Sequence, residues 1–504
     1  MRRFVVIMSL LAAACTGERP PAPAPDVLVV GTTDAAGSLD PALCYEAFCA
    51  YAVLPNTHAG LTSIGADLRP APGLARSWTV SEDGRSYRFD LRSGVQLHDS
   101  TTVDAEVVRA SLERAGRLAR DGTPGEVFSD AQDGVTAITA EPDAVTITLA
   151  RPDASLPARL AFASSSIVSP AAYPESAAGT DMAGTGPYTL DGEPRGDGFD
   201  LVATTEDVSE ERVRVRVYPT ATALAADLVS GQVHVAWRTW SPDELDALTT
   251  AAAVRLVSEP GPATRFLGFN VGLEPFDDVS LRRAIAAAID PAPLASGVQA
   301  GAADPLYSLL PEGYPGHVPV FADDTDDVDT HLAEAGYGPD DVLEVDLWFT
   351  PAHYGEAEAD AAEAIAAMLK TTGRFAVTVH AAEWPDYQGG LARSRLGMFL
   401  LGWFPDHLDP DAYLRPFLHS SVTSYIGSSY ADEAMDAMLD DARAATDAGR
   451  RAEILEAIQR KVAADVPYVP LWRSRTVIAH HASVSGVELT PAPYLRLASI
   501  ERTG

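Results

Sequence analysis

The chain has 504 residues, 46% of them apolar and 21% charged, a globular composition with material for two or three domains rather than one. Its 71 acidic residues against 37 basic ones leave a formal net charge of −34. A surface of that sign repels phosphate backbones, which makes nucleic acid a poor partner.

The first element in chain order is a leader. Met1, Arg2 and Arg3 precede residues 4–14, eleven positions of which only Ser9 is polar. A positive start, an apolar run and small residues before a cut site are the parts of a secretory signal. The run is too short for a membrane-spanning helix, which needs about 20 residues. Cys15 directly after Ala12, Ala13 and Ala14 resembles a bacterial lipobox, in which the thiol takes a diacylglycerol and becomes the first residue of the mature chain. Ala12 departs from the usual leucine, which stands one place early as Leu11. Residues 16–25 are proline-rich and read as an extended tether. The expectation is a lipoprotein signal peptide over 1–14 and a lipidated tether over 15–25. The remainder would then sit on the extracytoplasmic face of the cell membrane. Cys44 and Cys49 remain as an even pair in an oxidising compartment; a disulfide closing "CYEAFC" and two buried thiols are both open readings.

Helical and strand patterns alternate from there on. "SWTVSEDGRSYRFDLRSG" (77–94) predicts a hairpin, with Asp83-Gly84 at the turn and Tyr87, Phe89 and Leu91 on the apolar face. Residues 104–120 predict a helix with Val108, Leu112, Ala115 and Ala119 in one stripe. "RVRVRVY" (212–218) alternates as a half-buried strand should. Residues 279–290 place Leu281, Ile285, Ala288 and Ile289 on one helical face, with Ser280 as N-cap. A helix near 356–372 ends at Gly373, and one near 449–465 carries Ile454, Ile458 and Val462 before Pro467. The class is mixed α/β and multi-domain, with no membrane-spanning stretch after Cys15.

Searches for catalytic and metal motifs find little. Neither Lys370 nor Lys461 follows a glycine, so there is no phosphate-binding loop, and neither has a serine three places before it. None of the eleven histidines begins an H-E-x-x-H zinc site. Asp406 and Asp409 are close enough for acid–base work, but acids are abundant here and a chance pairing is the simpler reading. His98-Asp99 reads as a locally hydrogen-bonded turn before it reads as a metal ligand pair. The expectation is a protein that is not an enzyme and holds no cofactor or metal.

Eight segments in order carry a resemblance. "RPAPGLARSWTVSEDGRSYRFDLRSGVQLHDS" (69–100) is similar to the signature of the family-five extracellular solute-binding proteins, the peptide-binding branch of the ABC importers. Leu74, Ala75, Ser77, Trp78, Leu91, Arg92, Gly94, Val95, His98 and Asp99 match it. Ser100 stands where glycine is usual, so a different backbone is expected at that turn. "SLDPA" (38–42), "GTGPYTL" (184–190) and "LVSGQVHVAW" (228–237) follow the same pattern, the last with His234 in place of a customary aspartate. So do "FLGFNVGLEPFDDVSLRRAIAAAID" (266–290), "LAEAGY" (332–337), "GWFPDHLDPDAYL" (402–414) and "DVPYVPLW" (465–472).

The resemblance implies a two-lobed, periplasmic-binding-protein-like clamshell with an extra inserted domain. Lobe one would hold 26–69, 184–265 and 478–504, the inserted domain 70–183, and lobe two 266–477, with "GTGPY" and "FLGFN" on the hinge side. Carried over to "GWFPDHLDPDAYL", it implies that Asp406 pairs with a peptide's free amine, Trp403 and Phe404 form an apolar wall, and His407 stands where tyrosine is usual. Asp409 and Asp411 read as turn and surface residues. The implied partners are a short peptide and the permease and ATPase subunits of an importer, with the receptor a monomer. Relatives that bind sugars, metal chelates or haem keep another solute open, and an extracytoplasmic hydrolase or a cell-wall interaction protein is the reading from a different class.

Overall fold

The computed structural model describes residues 27–34, 38–44, 47–120, 134–173, 182–322, 327–351, 353–355, 357–405, 407–423, 426–490 and 492–503. Residues 1–26, which include Cys15 and the segments expected to be a signal peptide and a tether, lie outside them, as does Asp406. Buried, β-branched runs build one large sheet of eleven strands among the described residues. Leu28–Thr32 (LVVGT) is buried along its whole length, with Leu28 and Val30 in one apolar cluster and Val29 in another on the opposite face. Burial on both faces is what parallel pairing in an α/β layer demands. This strand pairs in parallel with Arg212–Val217 and with Val235–Trp237, which are joined by the crossover helix Ala221–Val229.

The other half repeats the logic. Leu343–Phe349 pairs in parallel with Phe375–Ala381 and Met398–Trp403, with helices Glu358–Thr371 and Trp384–Ala392 as the connections. Met398 and Leu400 enter one core, Phe399 and Leu401 the other. Two long strands join the halves. Val254–Phe269 and Tyr468–His481 run antiparallel from Val254 opposite His481 to Gly268 opposite Tyr468. Their register shifts between Pro260 and Thr264, and there the short strand Ala303–Pro305 pairs onto Tyr468–His481. The result is a two-lobed α/β clamshell, each lobe a parallel layer and the two long strands its spine.

A separate four-stranded sheet takes the order Ala75–Val80, Ser86–Leu91, Ala144–Leu149, Val135–Ala140. The expected hairpin is its first pair, with Trp78 opposite Phe89 and Gly84 at φ +67° in the turn. Helix Ala105–Arg120 covers it, burying Val108, Leu112 and Ala115 as the periodicity predicts, and adding Val107 and Leu118 to the stripe. Arg114 of that helix forms a buried ion pair with Asp40, next to the first parallel layer. "GTGPY" lies against the first layer as well: the Gly186 N–H donates to Thr57 O at 3.0 Å before edge strand Tyr188–Leu190 begins. Among the described residues, the strands that pass from one half to the other are the two long ones.

One local expectation changes. The cap of helix Val279–Ala287 is Asp278, whose carboxylate accepts from the N–H groups of Ser280 and Leu281, because a carboxylate two residues before Ser280 reaches both of these otherwise free donors. Ser100 adopts a left-handed backbone, at φ +69°, the region that glycine favours, and its N–H closes the turn onto Leu97 O at 2.8 Å. A side chain held in that region costs about 1–3 kcal/mol, partly offset by the freedom glycine has when unfolded. Ser100→Gly is therefore expected to stabilise the protein by about 0.5–1 kcal/mol, read as a higher thermal midpoint. A lower midpoint would show that the serine side chain contributes more than the backbone costs.

Candidate functional site

In open parallel sheets ligands bind beyond the carboxyl ends of the strands. Both layers direct those ends to one place. Asp34 follows Leu28–Thr32, Arg238 and Trp240 follow Val235–Trp237, His353 and Tyr354 follow Leu343–Phe349, and Phe404 follows Met398–Trp403. All of them line a single cavity of about 480 Å³, floored by Gly261, Pro262 and Ala263 of the register shift and by residues 474–477 of the opposing long strand. That volume suits a small solute rather than a macromolecule.

Arg265 organises this floor. Its side chain lies in a buried strand opposite Gly402, where only a pair can sustain a charge. Nε donates to Glu358 Oε1 at 2.8 Å, Nη2 to Tyr354 O at 2.6 Å and Nη1 to Thr264 O at 3.1 Å. The guanidinium also lies 4.6 Å from the Tyr354 ring centroid. A Cβ on Gly402 would sit 2.6 Å from both Arg265 Nη1 and Tyr354 Cδ1, so the first residue of "GWFPD" has to be glycine for this contact to exist. Tyr354 leads on to Trp384, on which His353 stacks with centroids 3.6 Å apart. Burial, and then Arg265, push the His353 pKa down, which favours the neutral ring.

Aromatic side chains form the walls. Tyr51 packs edge-on to Phe404 at 5.4 Å and stacks on Tyr494 at 5.6 Å, so an aromatic group of the first lobe meets one of the second. Trp403 is fixed by Nε1–H donating to Ala412 O at 2.8 Å, and Phe404 stays 41% exposed. Cys44 and Cys49 are joined as a disulfide, with Cα atoms 6.1 Å apart. The bond ties the turn at Pro41–Leu43 to the helical segment Cys49–Val53 that carries Tyr51. Arg238 spans 5.2 Å to the Trp240 ring and pairs with Glu244; Arg475 pairs with Asp304 at 2.9 Å. Every arginine of the lining thus has an acidic partner of its own.

Of the residues singled out from the sequence, Trp403 and Phe404 line the cavity, and Asp406 lies outside the described residues between Pro405 and His407. His407 does not line it. Its ring is buried beside Arg159, Asp153, Asp409 and Asp411, its Nε2 has no partner among the described residues, and burial followed by Arg159 pushes its pKa down to about 4. Asp409 and Asp411 are not surface residues either. Asp409 caps helix Pro410–Leu418 and takes both Arg451 terminal nitrogens, at 2.8 and 2.6 Å. Asp411 accepts from Arg443 at 2.7 Å and Arg415 at 3.1 Å; burial would raise its pKa, but these guanidiniums outweigh burial and hold it well below the carboxylate range.

His234, which stands where the resemblance expects an aspartate, acts as a hydrogen-bond acceptor. Its Nδ1 accepts from the Val29 N–H at 2.8 Å, and burial pushes its pKa down to about 4, keeping that nitrogen free to accept. His98 sits 3.1 and 2.8 Å from the carbonyls of Met182 and Gly186, while Asp99 holds the Thr101 N–H at 2.9 Å. Among the described residues no group of three His, Cys, Asp or Glu is placed to hold a metal ion, and no helix is long and apolar enough to cross a membrane. Sequence reasoning missed Arg265, Glu358, Tyr354 and Trp240. An arginine inside the apolar strand "RFLGF" and the "WRTW" cluster after a buried strand were the available signals.

Known proteins agree with this architecture. Residues 69–425 match the family model described as bacterial extracellular solute-binding proteins, family 5 Middle. The heme-binding protein A of Haemophilus influenzae is 26% identical over 520 residues, covering 95% of this chain and 90% of the relative. The dipeptide-binding protein of Escherichia coli is 28% identical over 460 residues, covering 83% and 84%. The structure of HbpA2 from Haemophilus parasuis superposes with a TM-score of 0.81 at 21% identity, covering 94% of this chain and 99% of that one.

Proposed function

The chain belongs to the family 5 bacterial extracellular solute-binding proteins, and from that premise we propose that it captures short peptides outside the cytoplasm and delivers them to the permease and ATPase of an ABC importer. It works as a monomer and makes or breaks no bond in its cargo. The observation that carries this reading is the cavity at the carboxyl ends of both parallel layers, walled by aromatic groups from each lobe and floored by the two strands that join them. A ligand there touches both lobes at once, and differential contact of that kind is what draws a clamshell shut. The relative named for dipeptides supports the peptide reading; the one named for heme favours a second, in which the same receptor takes a larger solute.

Cys15 is proposed as the lipid anchor, on the strength of the apolar leader and the tether behind it. Cys15→Ala is expected to move the protein from the membrane fraction to the soluble fraction with ligand binding intact. An unlipidated wild-type chain cleaved at another site would rule the anchor out.

Asp406 is proposed as the partner of the peptide's free amine. An ammonium enclosed away from water must be paired, and truncating one partner of such a pair costs roughly 2–5 kcal/mol. Asp406→Ala is therefore expected to weaken binding about 30-fold or more. Calorimetry with free and N-acetylated peptides separates this from general damage, because acetylation should hurt wild type far more than the variant. Equal binding of both peptides by wild type would mean that Asp406 anchors no amine and that peptides are the wrong ligand class.

A further inference from the structure

Two residues that line the cavity each carry a polar atom that is shut off from solvent and has no hydrogen-bond partner among the described residues: Glu358 Oε2 and Trp240 Nε1. The residues are 2% and 6% exposed. Buried polar groups in native proteins are overwhelmingly paired, so an orphan on a residue lining a binding cavity points to a partner gained when the lobes close on a ligand and the lining side chains readjust. The two come from opposite lobes. Trp240 follows strand Val235–Trp237, and Glu358 opens helix Glu358–Thr371.

Their polarities are fixed. An indole Nε1–H can only donate. Arg265 Nε donates to Glu358 Oε1 at 2.8 Å, and its terminal nitrogens are taken by Tyr354 O and Thr264 O, which leaves Oε2 as an acceptor with no donor. The Arg265 guanidinium already neutralises this carboxylate, so a second ligand ammonium would meet like charge beside it. A neutral N–H fits better, and a group that offers both an N–H and a carbonyl is an amide. We propose that Glu358 is a specificity residue of the cavity, accepting a hydrogen bond from a peptide-bond N–H of the ligand, while Trp240 donates to a ligand carbonyl. This deepens the peptide-capture reading and rests on it.

Glu358→Gln inverts one atom at constant shape. The Arg265 Nε–H requires an oxygen, so the amide nitrogen of the glutamine takes the place of Oε2, and an acceptor becomes a donor. The test uses a peptide that binds wild type and a set of its depsipeptide analogues, each with one backbone N–H replaced by an ester oxygen. Calorimetry measures all of them against wild type, Glu358→Gln and Trp240→Phe. At one position the ester should weaken wild type by about 10-fold or more, and the Glu358→Gln variant should lose or reverse that preference. Trp240→Phe, which keeps an aromatic ring and removes the N–H, should weaken the parent peptide and leave the ester discrimination in place. The wild-type comparison stands even if a variant folds poorly. If esters and amides bind wild type equally at every position, or the glutamine variant keeps the wild-type preference, Glu358 reads no N–H. If no peptide binds wild type at all, peptide capture itself fails, and this inference with it.

Discussion

The buried guanidinium of Arg265 is the interaction on which the cavity depends. It sits on a strand shared by both lobes, just past the point where the two long strands slip register, and it needs every acceptor around it. A charge so far from water is tolerated only when paired, and removing one partner of such a pair costs about 3–5 kcal/mol. That requirement fixes the first residue of helix Glu358–Thr371, the carbonyl and ring of Tyr354, and the absence of a side chain at residue 402. One ion pair therefore holds the floor, the 353–355 segment and the start of the aromatic wall in register.

Around that point the fold solves a general problem. Each lobe buries a parallel layer under helices, and parallel layers gather their carboxyl-end loops on one edge. Joining two such layers by a pair of long antiparallel strands turns those edges toward each other. The disulfide and the Asp40–Arg114 ion pair brace the first lobe behind Tyr51, so that its ring can meet Phe404 from the second. A second knot lies behind the wall. Asp409, Asp411, Arg443 and Arg451 pair with one another, and the Ala154 N–H donates to Arg443 O at 2.7 Å, which seats the four-stranded sheet's neighbourhood against the second lobe.

Elements whose signal is local were legible in the sequence. The hairpin around Asp83-Gly84 and the helix Ala448–Asp465 follow from periodicity and turn chemistry over a few neighbouring residues. Cap position was harder, since Asp278 and Ser280 compete within three residues and only geometry separates them. Charged residues were least legible. Asp411 looked like surface because its partner Arg443 lies 32 residues on, and Arg265 carried no role because Glu358 is 93 residues away. His407 was drawn toward the ligand by its place in a motif. The tight turn from His407 O to the Asp409 N–H, at 3.1 Å, instead leaves its ring among the buried ion pairs. At Ser100 a turn hydrogen bond closes a left-handed backbone of the kind glycine favours, a local strain that the residue type alone does not announce.

The central claim is that this cavity encloses an intact short peptide between two lobes. Native mass spectrometry of the purified full chain, with whatever it has retained, tests that directly. The account predicts a one-to-one complex whose added mass is that of a short peptide, released unchanged on denaturation. A bound haem, sugar or metal chelate, or peptide recovered only as cleaved fragments, would contradict it.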